Sequence, residues 1–232
     1  MRRPVIAPPF LGVIFAILCG IGELAGSSSA TPHFERMLEA SNHPLPPPYR
    51  ALRRLEANLS DSARRGWLEA WTEFQPGRGL RYNIVNEGGS EYVRNNILKE
   101  MLATEQELLA AGRRLRASLE SKNYEFTDGG MTADGLQRVL MTPARKSDGL
   151  VNGALFVHPS SQMLTRIEGR LVKSPSFWMR DVDVTWNFAR IAGYLVPTEM
   201  SSSGRVRMFG PSNFRMVYEY QTIDGMKVAG IP

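Results

Sequence analysis

Large apolar residues fall on every second position in several short stretches of this chain. Val182, Val184, Trp186 and Phe188 alternate with Asp181, Asp183, Thr185 and Asn187. Phe214, Met216, Tyr218 and Tyr220 alternate with Arg215, Glu219 and Gln221, with Val217 the exception, and Ile167, Gly169 and Leu171 repeat the pattern against Arg166, Glu168 and Arg170. A two-residue period describes a strand with one dry and one wet face. Between the stretches lie turn-forming clusters, Lys173-Ser174-Pro175-Ser176, Ser201-Ser202-Ser203-Gly204 and Gly210-Pro211-Ser212-Asn213. The span Leu164–Tyr220 therefore predicts an antiparallel meander whose apolar face something must cover.

Upstream, Tyr49–Leu59 reads as a short basic helix, because Leu52 and Leu55 stand three apart among Arg50, Arg53 and Arg54. Trp67–Phe74 alternates, with Trp67, Glu69, Trp71 and Glu73 on one side and Leu68, Ala70, Thr72 and Phe74 on the other, and Pro76-Gly77-Arg78-Gly79 turns it into a second strand, Leu80–Val85. Ser90 is placed to cap a helix beginning at Glu91. Ile97, Met101, Thr104, Leu108, Ala111 and Leu115 form an apolar stripe along it, and Gly112 is a possible break. Strands resume at Tyr124–Thr127, Leu136–Thr142 and Leu150–Val157. The reading totals about nine or ten strands and two or three helices, within the range of one curved sheet.

The first 30 residues carry a different signature. Arg2 and Arg3 precede the apolar run Phe10–Ile21, and Ser28-Ser29-Ala30 offers small residues before Thr31, as in a secretory signal peptide. An anchor through residues 4–24, or lipid attachment at Cys19, is the alternative. Residues 31–48, ending in Pro44-Leu45-Pro46-Pro47-Pro48, read as a proline-rich arm, and 49–232 as one domain. Cys19 is the only cysteine, so beyond the leader there is neither a disulfide nor a thiol ligand. The formal net charge of +5 over 232 residues is small and dispersed, and gives no nucleic-acid footprint.

Catalytic patterns are missing. His33, His43 and His158 lack metal-ligand spacing, and no glycine-rich phosphate loop or nucleophile elbow is present. Asp181 and Asp183 share a strand face, where alternating acids are ordinary. The expectation is a protein that is not an enzyme and uses no cofactor.

Gly66-Trp67-Leu68-Glu69-Ala70-Trp71-Thr72-Glu73-Phe74, Gly88-Gly89-Ser90 before the helix, Arg166–Leu171 through Pro175-Ser176-Phe177-Trp178, and Arg190–Pro197 on to Tyr218-Glu219-Tyr220 resemble the outer-membrane lipoprotein carrier (LolA/LolB-like) superfamily, in its lipoprotein-sorting-like branch. The resemblance implies a mainly β (α+β) fold, a strongly curved antiparallel sheet forming an incomplete β-barrel covered by helices. It also implies a periplasmic carrier that holds lipid or lipoprotein acyl chains in an apolar cavity. The residues expected to line that cavity are Trp67, Trp71, Tyr82, Trp186, Phe188, Phe214, Met216 and Tyr218, with ordinary core packing the alternative for each. A different function on the same fold is an envelope interaction module with a filled core, docking a protein partner through the 90–119 helix.

Overall fold

The computed structural model describes residues 46–60, 64–110, 119, 123–147, 149–174, 179–207 and 210–228. The expected leader, most of the arm and the far end of the helix with Ala111, Gly112 and Leu115 lie outside the described residues.

Eleven strands form one antiparallel sheet: β1 (Tyr49–Leu59), β2 (Arg65–Gln75), β3 (Gly79–Gly89), β4 (Tyr124–Met131), β5 (Gln137–Pro143), β6 (Val151–Val157), β7 (Leu164–Leu171), β8 (Met179–Ile191), β9 (Tyr194–Val206), β10 (Gly210–Ile223) and the short β11 (Met226–Lys227). The order is β3-β2-β1-β10-β9-β8-β7-β6-β5-β4, with β11 beside β10. Each neighbouring pair is a hairpin except β1 and β10, which unite the two ends of the chain's strand series. The sheet is left unclosed between β3 and β4, so the architecture is the expected incomplete barrel.

The segment linking those two edges holds the helix. It starts as α1 (Glu91–Val93), passes through a π-helical turn at Arg94–Leu98 and continues as α2 (Lys99–Ala110). Ser90 does not cap it with its side chain. Its backbone N–H instead donates to Arg65 O at 2.8 Å, and its carbonyl accepts from Arg94 N at 3.0 Å. The helix runs back along β3. Val93 packs against Gly66 at one end, Ala110 meets Gly79 at the other, and Gln106 Nε2 donates to Leu80 O at 2.9 Å. Its buried side is Val93, Ile97, Leu98, Met101, Leu102 and Glu105, a stripe rotated slightly from the expected one so that it includes an acid. No described helix is long and apolar enough to cross a membrane.

Two expected elements are different. Tyr49–Leu59 is a strand, not a helix. Tyr49, Ala51, Arg53, Leu55, Ala57 and Leu59 are all buried, and the alternation was hidden by a charged residue in the middle of the dry face. Ser201–Gly204 is not a turn but the interior of β9, held between β8 and β10 by unbroken pairing from Ser201 to Ser203.

β6 and β7 come unusually close at one point. Gly153 pairs with Gly169 there, and a Cβ on Gly153 would lie 1.9 Å from Glu168 O, while one on Gly169 would lie 2.4 Å from Asn152 O. Only glycine lets the two backbones approach so closely.

Candidate functional site

The inner face carries a row of apolar side chains that crosses the sheet without a polar interruption. In register it runs Leu68 (β2), Leu55 (β1), Met216 (β10), Met200 (β9), Trp186 (β8), Ile167 (β7), Leu155 (β6) and Val139 (β5). At ~4.8 Å per strand this belt measures about 34 Å along the curve. All its members are buried, with no exposed surface left on Trp186, Met200 or Met216. Phe214 and Tyr218 flank the belt on β10, and Tyr82 and Phe188 are partly buried against the same core.

Six of the eight residues expected at a cavity therefore share the inner side: Tyr82, Trp186, Phe188, Phe214, Met216 and Tyr218. Trp67 and Trp71 do not join them. In the β1–β2 ladder Leu68, Ala70, Thr72 and Phe74 oppose the buried positions of β1, whereas Trp67 opposes Glu56 and Trp71 opposes Leu52 on the outer face. Turning both indoles inward would take Glu69 and Glu73 with them, and burying two carboxylates outweighs the gain from two rings. Arg50 instead lies over the Trp71 ring at 4.8 Å.

Beside the belt is a charged knot that the periodicity did not reveal. The Arg53 guanidinium donates to Glu105 Oε2 at 2.6 Å and Oε1 at 3.1 Å, fastening β1 to α2. Arg53 also donates to the Tyr49 hydroxyl and lies over the Tyr218 ring at 4.6 Å. Tyr218 stacks on Tyr220, and Tyr49 meets Tyr220 edge-on. Arg53 and Glu105 are 1% and 3% exposed. Burial works against the Arg53 charge, but the Glu105 carboxylate and the neighbouring tyrosines hold its pKa well above the ordinary value. Burial likewise pushes the Glu105 carboxyl upward, opposed by its contact with Arg53. The signal available in sequence was that Arg53 sits in phase with Tyr49, Ala51, Leu55, Ala57 and Leu59.

One donor on the belt is uncommitted. Trp186 is fully buried, and its indole N–H has no acceptor among the described residues. A buried donor without a partner is destabilising by about 1–3 kcal/mol. Asp183 is ion-paired to Arg170 at 2.7 Å and does not face a second carboxylate, and Asp181 occupies a bulge with φ 51. Among the described residues no three His, Cys, Asp or Glu side chains are grouped as a metal site.

No protein-family model matches the chain, and no curated protein matches it. Solved structures similar in fold include a LolA superfamily protein from Nitrosomonas europaea, at 11% identity and a TM-score of 0.45 over 89% of this chain and 96% of that one. A DUF1329 family protein from Desulfovibrio piger is 10% identical, with a TM-score of 0.42 over 83% of this chain and 92% of its own. Identities and scores this low transfer no function, which rests instead on the residues described above.

Proposed function

We propose that this is an exported, periplasmic, carrier-like protein that holds the acyl chain of a lipid or lipoprotein against the inner face of its open barrel. The observation that carries the reading is the apolar belt with the unpartnered Trp186 N–H at its centre. Each methylene transferred from water into apolar surroundings gains roughly 0.8 kcal/mol, so a chain that displaced the side chains now covering the belt would bind without specific polar contacts. A carbonyl at the head of that chain would supply the acceptor that Trp186 lacks. Met200 and Met216 on either side of the ladder are unbranched and can repack around a guest. This is binding and not catalysis, and it needs no cofactor.

The test is native mass spectrometry with lipid extraction on the protein produced with its own residues 1–30. The expected result is a mature mass beginning near Thr31 together with co-purifying acyl species. Trp186→Phe, which keeps the ring but removes the donor, should then weaken retention of palmitate by roughly fivefold to tenfold. A wild-type protein that emerges without acyl species, and takes up none from palmitate or phospholipid vesicles, would refute the carrier reading and favour docking of a protein through the helix.

A further inference from the structure

The surplus of basic residues in the sequence is gathered at one end of the molecule. In an antiparallel sheet alternate strand ends share a side, so the last residues of β1, β3, β5, β7 and β9 and the first of β2, β4, β6, β8 and β10 form one rim. Arg64 and Arg65 stand there at the entry to β2, Arg145 and Lys146 follow β5, Lys173 follows β7, and Arg207 follows β9. Arg170, Arg180 and Arg205 occupy the ends of β7, β8 and β9, which are neighbours in the sheet. The opposite rim has fewer cations, among them Arg78, Arg190 and Lys227, and mixes them with Asp134 and Asp224.

Few acids offset the first rim. Glu56 pairs with Arg65 at 2.7 Å, Asp183 with Arg170 at 2.7 Å, and Glu87 takes Arg94 and Lys99 from the helix. Asp181 also acts on Arg170, and Glu125 is the remaining acid among the described strand ends of this rim. Lys146, Arg180 and Arg205 are exposed and pair with no acid among the described residues. Two of these three face each other. Arg180 and Arg205 are direct partners in the β8–β9 ladder, so both side chains leave the same face of the sheet. Like charges set opposite one another are destabilising, and an anion from outside the chain relieves them.

The kind of anion follows from the layout. The cations stand on strand ends and links spread across the width of the sheet, not in a cleft. Of the exposed large apolar residues, Val85, Tyr92, Met131, Leu140 and Met226, only Tyr92, in the first turn of the helix, stands beyond the strand ends here. A protein interface has an apolar core from which most charge is excluded, and this rim offers none. The headgroups of a fluid bilayer need no such core, because they move laterally to match scattered cations, and a tyrosine suits their depth. We propose that this rim docks the protein on an anionic phospholipid surface, with the ends of β7, β8 and β9 at the centre of the contact. The docking is separate from the acyl belt, and either can fail alone.

The experiment is sedimentation of the full chain with phosphatidylcholine vesicles, with and without about 30% phosphatidylglycerol. The apolar run of residues 10–21 acts on both kinds of vesicle, so their ratio isolates the effect of charge. The wild type should prefer the anionic vesicles by about a hundredfold, and lose that preference in about 0.5 M NaCl. Lys146→Ser, Arg180→Ser and Arg205→Ser together should remove most of it, about fivefold per charge, with a thermal midpoint no lower than that of the wild type because the facing pair is gone. Arg78→Ser, Arg190→Ser and Lys227→Ser, which remove the same charge from the opposite rim, should change it by less than about twofold. The proposal is overturned if the wild type does not prefer anionic vesicles, or if the two triple variants lose the preference equally, since net charge alone would then be acting. It is also overturned if poly-glutamate at the same concentration of charge holds the protein off the vesicles, which would assign the rim to an acidic protein.

Discussion

Removing one member of the Arg53–Glu105 pair should damage the fold far more than removing both. The two oxygens of Glu105 accept from the guanidinium at 2.6 and 3.1 Å in a place where neither residue keeps more than a few per cent of its surface in water. For charge centres about 4 Å apart in an effective dielectric of roughly 20, the attraction is about 4 kcal/mol. Glu105→Leu deletes that attraction and leaves a buried guanidinium beside Tyr49 and Tyr218, and Arg53→Met leaves a buried carboxylate. Each single variant is expected to lose about 3–5 kcal/mol, a large fraction of the roughly 5–15 kcal/mol that holds a typical domain folded. In the double variant no ion is stranded, so its stability should return to within about 1–2 kcal/mol of the wild type. Urea denaturation of the four proteins, followed by tryptophan fluorescence, completes the cycle. Single variants that each lose less than about 1 kcal/mol, or a double variant that loses the sum of both, would refute the view that the pair is a mutually dependent buried unit.

Two further outcomes follow from other parts of the sheet. Gly153→Ala places a Cβ against the Glu168 carbonyl, a backbone atom that can yield only by moving β7, and should lower stability by about 2–3 kcal/mol in urea unfolding. Gly193→Ala, where φ is +84 but nothing lies within 4 Å, should lose only about 1 kcal/mol, and equal losses at the two sites would argue against a crowded crossing. At alkaline pH, burial has pushed Tyr124 up to about 12 from an ordinary 10.0 and Tyr220 well above that ordinary value. A phenol whose folded pKa is raised favours the folded state in full below its unfolded pKa and loses that contribution as pH rises toward the folded one. The urea midpoint should therefore fall between about pH 10 and pH 12, and a flat midpoint across that window would contradict the burial of these hydroxyls.

Regular alternation made much of the sheet legible. β8 and β10 were readable directly, because most inward positions are apolar and most outward ones polar, Val217 being an exception, and the β2–β3 hairpin followed from its proline-glycine turn. What escaped has identifiable reasons. β1 carries Arg53 on its dry face, tolerable only because Glu105 reaches it from a helix 52 positions away in the chain, a pairing no local pattern announces. Ser201–Gly204 has turn-forming composition, yet pairing with β10 throughout and with β8 as far as Ser203 keeps it extended, with Ser202 buried inside and its neighbours on the outer face. In β2 the two faces were separated correctly, but tryptophan was weighed as an inward residue when the glutamates sharing its face decide the matter. The uncommitted indole of Trp186 was not legible at all, since a missing acceptor is a property of the packed interior.

A barrel that stops short of closing has two bare margins, and each invites another chain to extend it. β4 is one of them. Between Asp128 and Met131 its pairing with β5 slips, Gly130 takes φ +75, and Asp128 Oδ1 receives the Gly130 N–H at 2.8 Å and Gln137 Nε2 at 2.6 Å. The bulge twists the strand and ties it to its own hairpin, so the row of amides and carbonyls along its edge is interrupted before a straight strand from a neighbour could align with it. At the other margin the helix lies along β3 from Gly89 back to Gly79. In these two ways both margins of the unfinished sheet are blunted against pairing with another chain, the one by a bulge and the other by a helix.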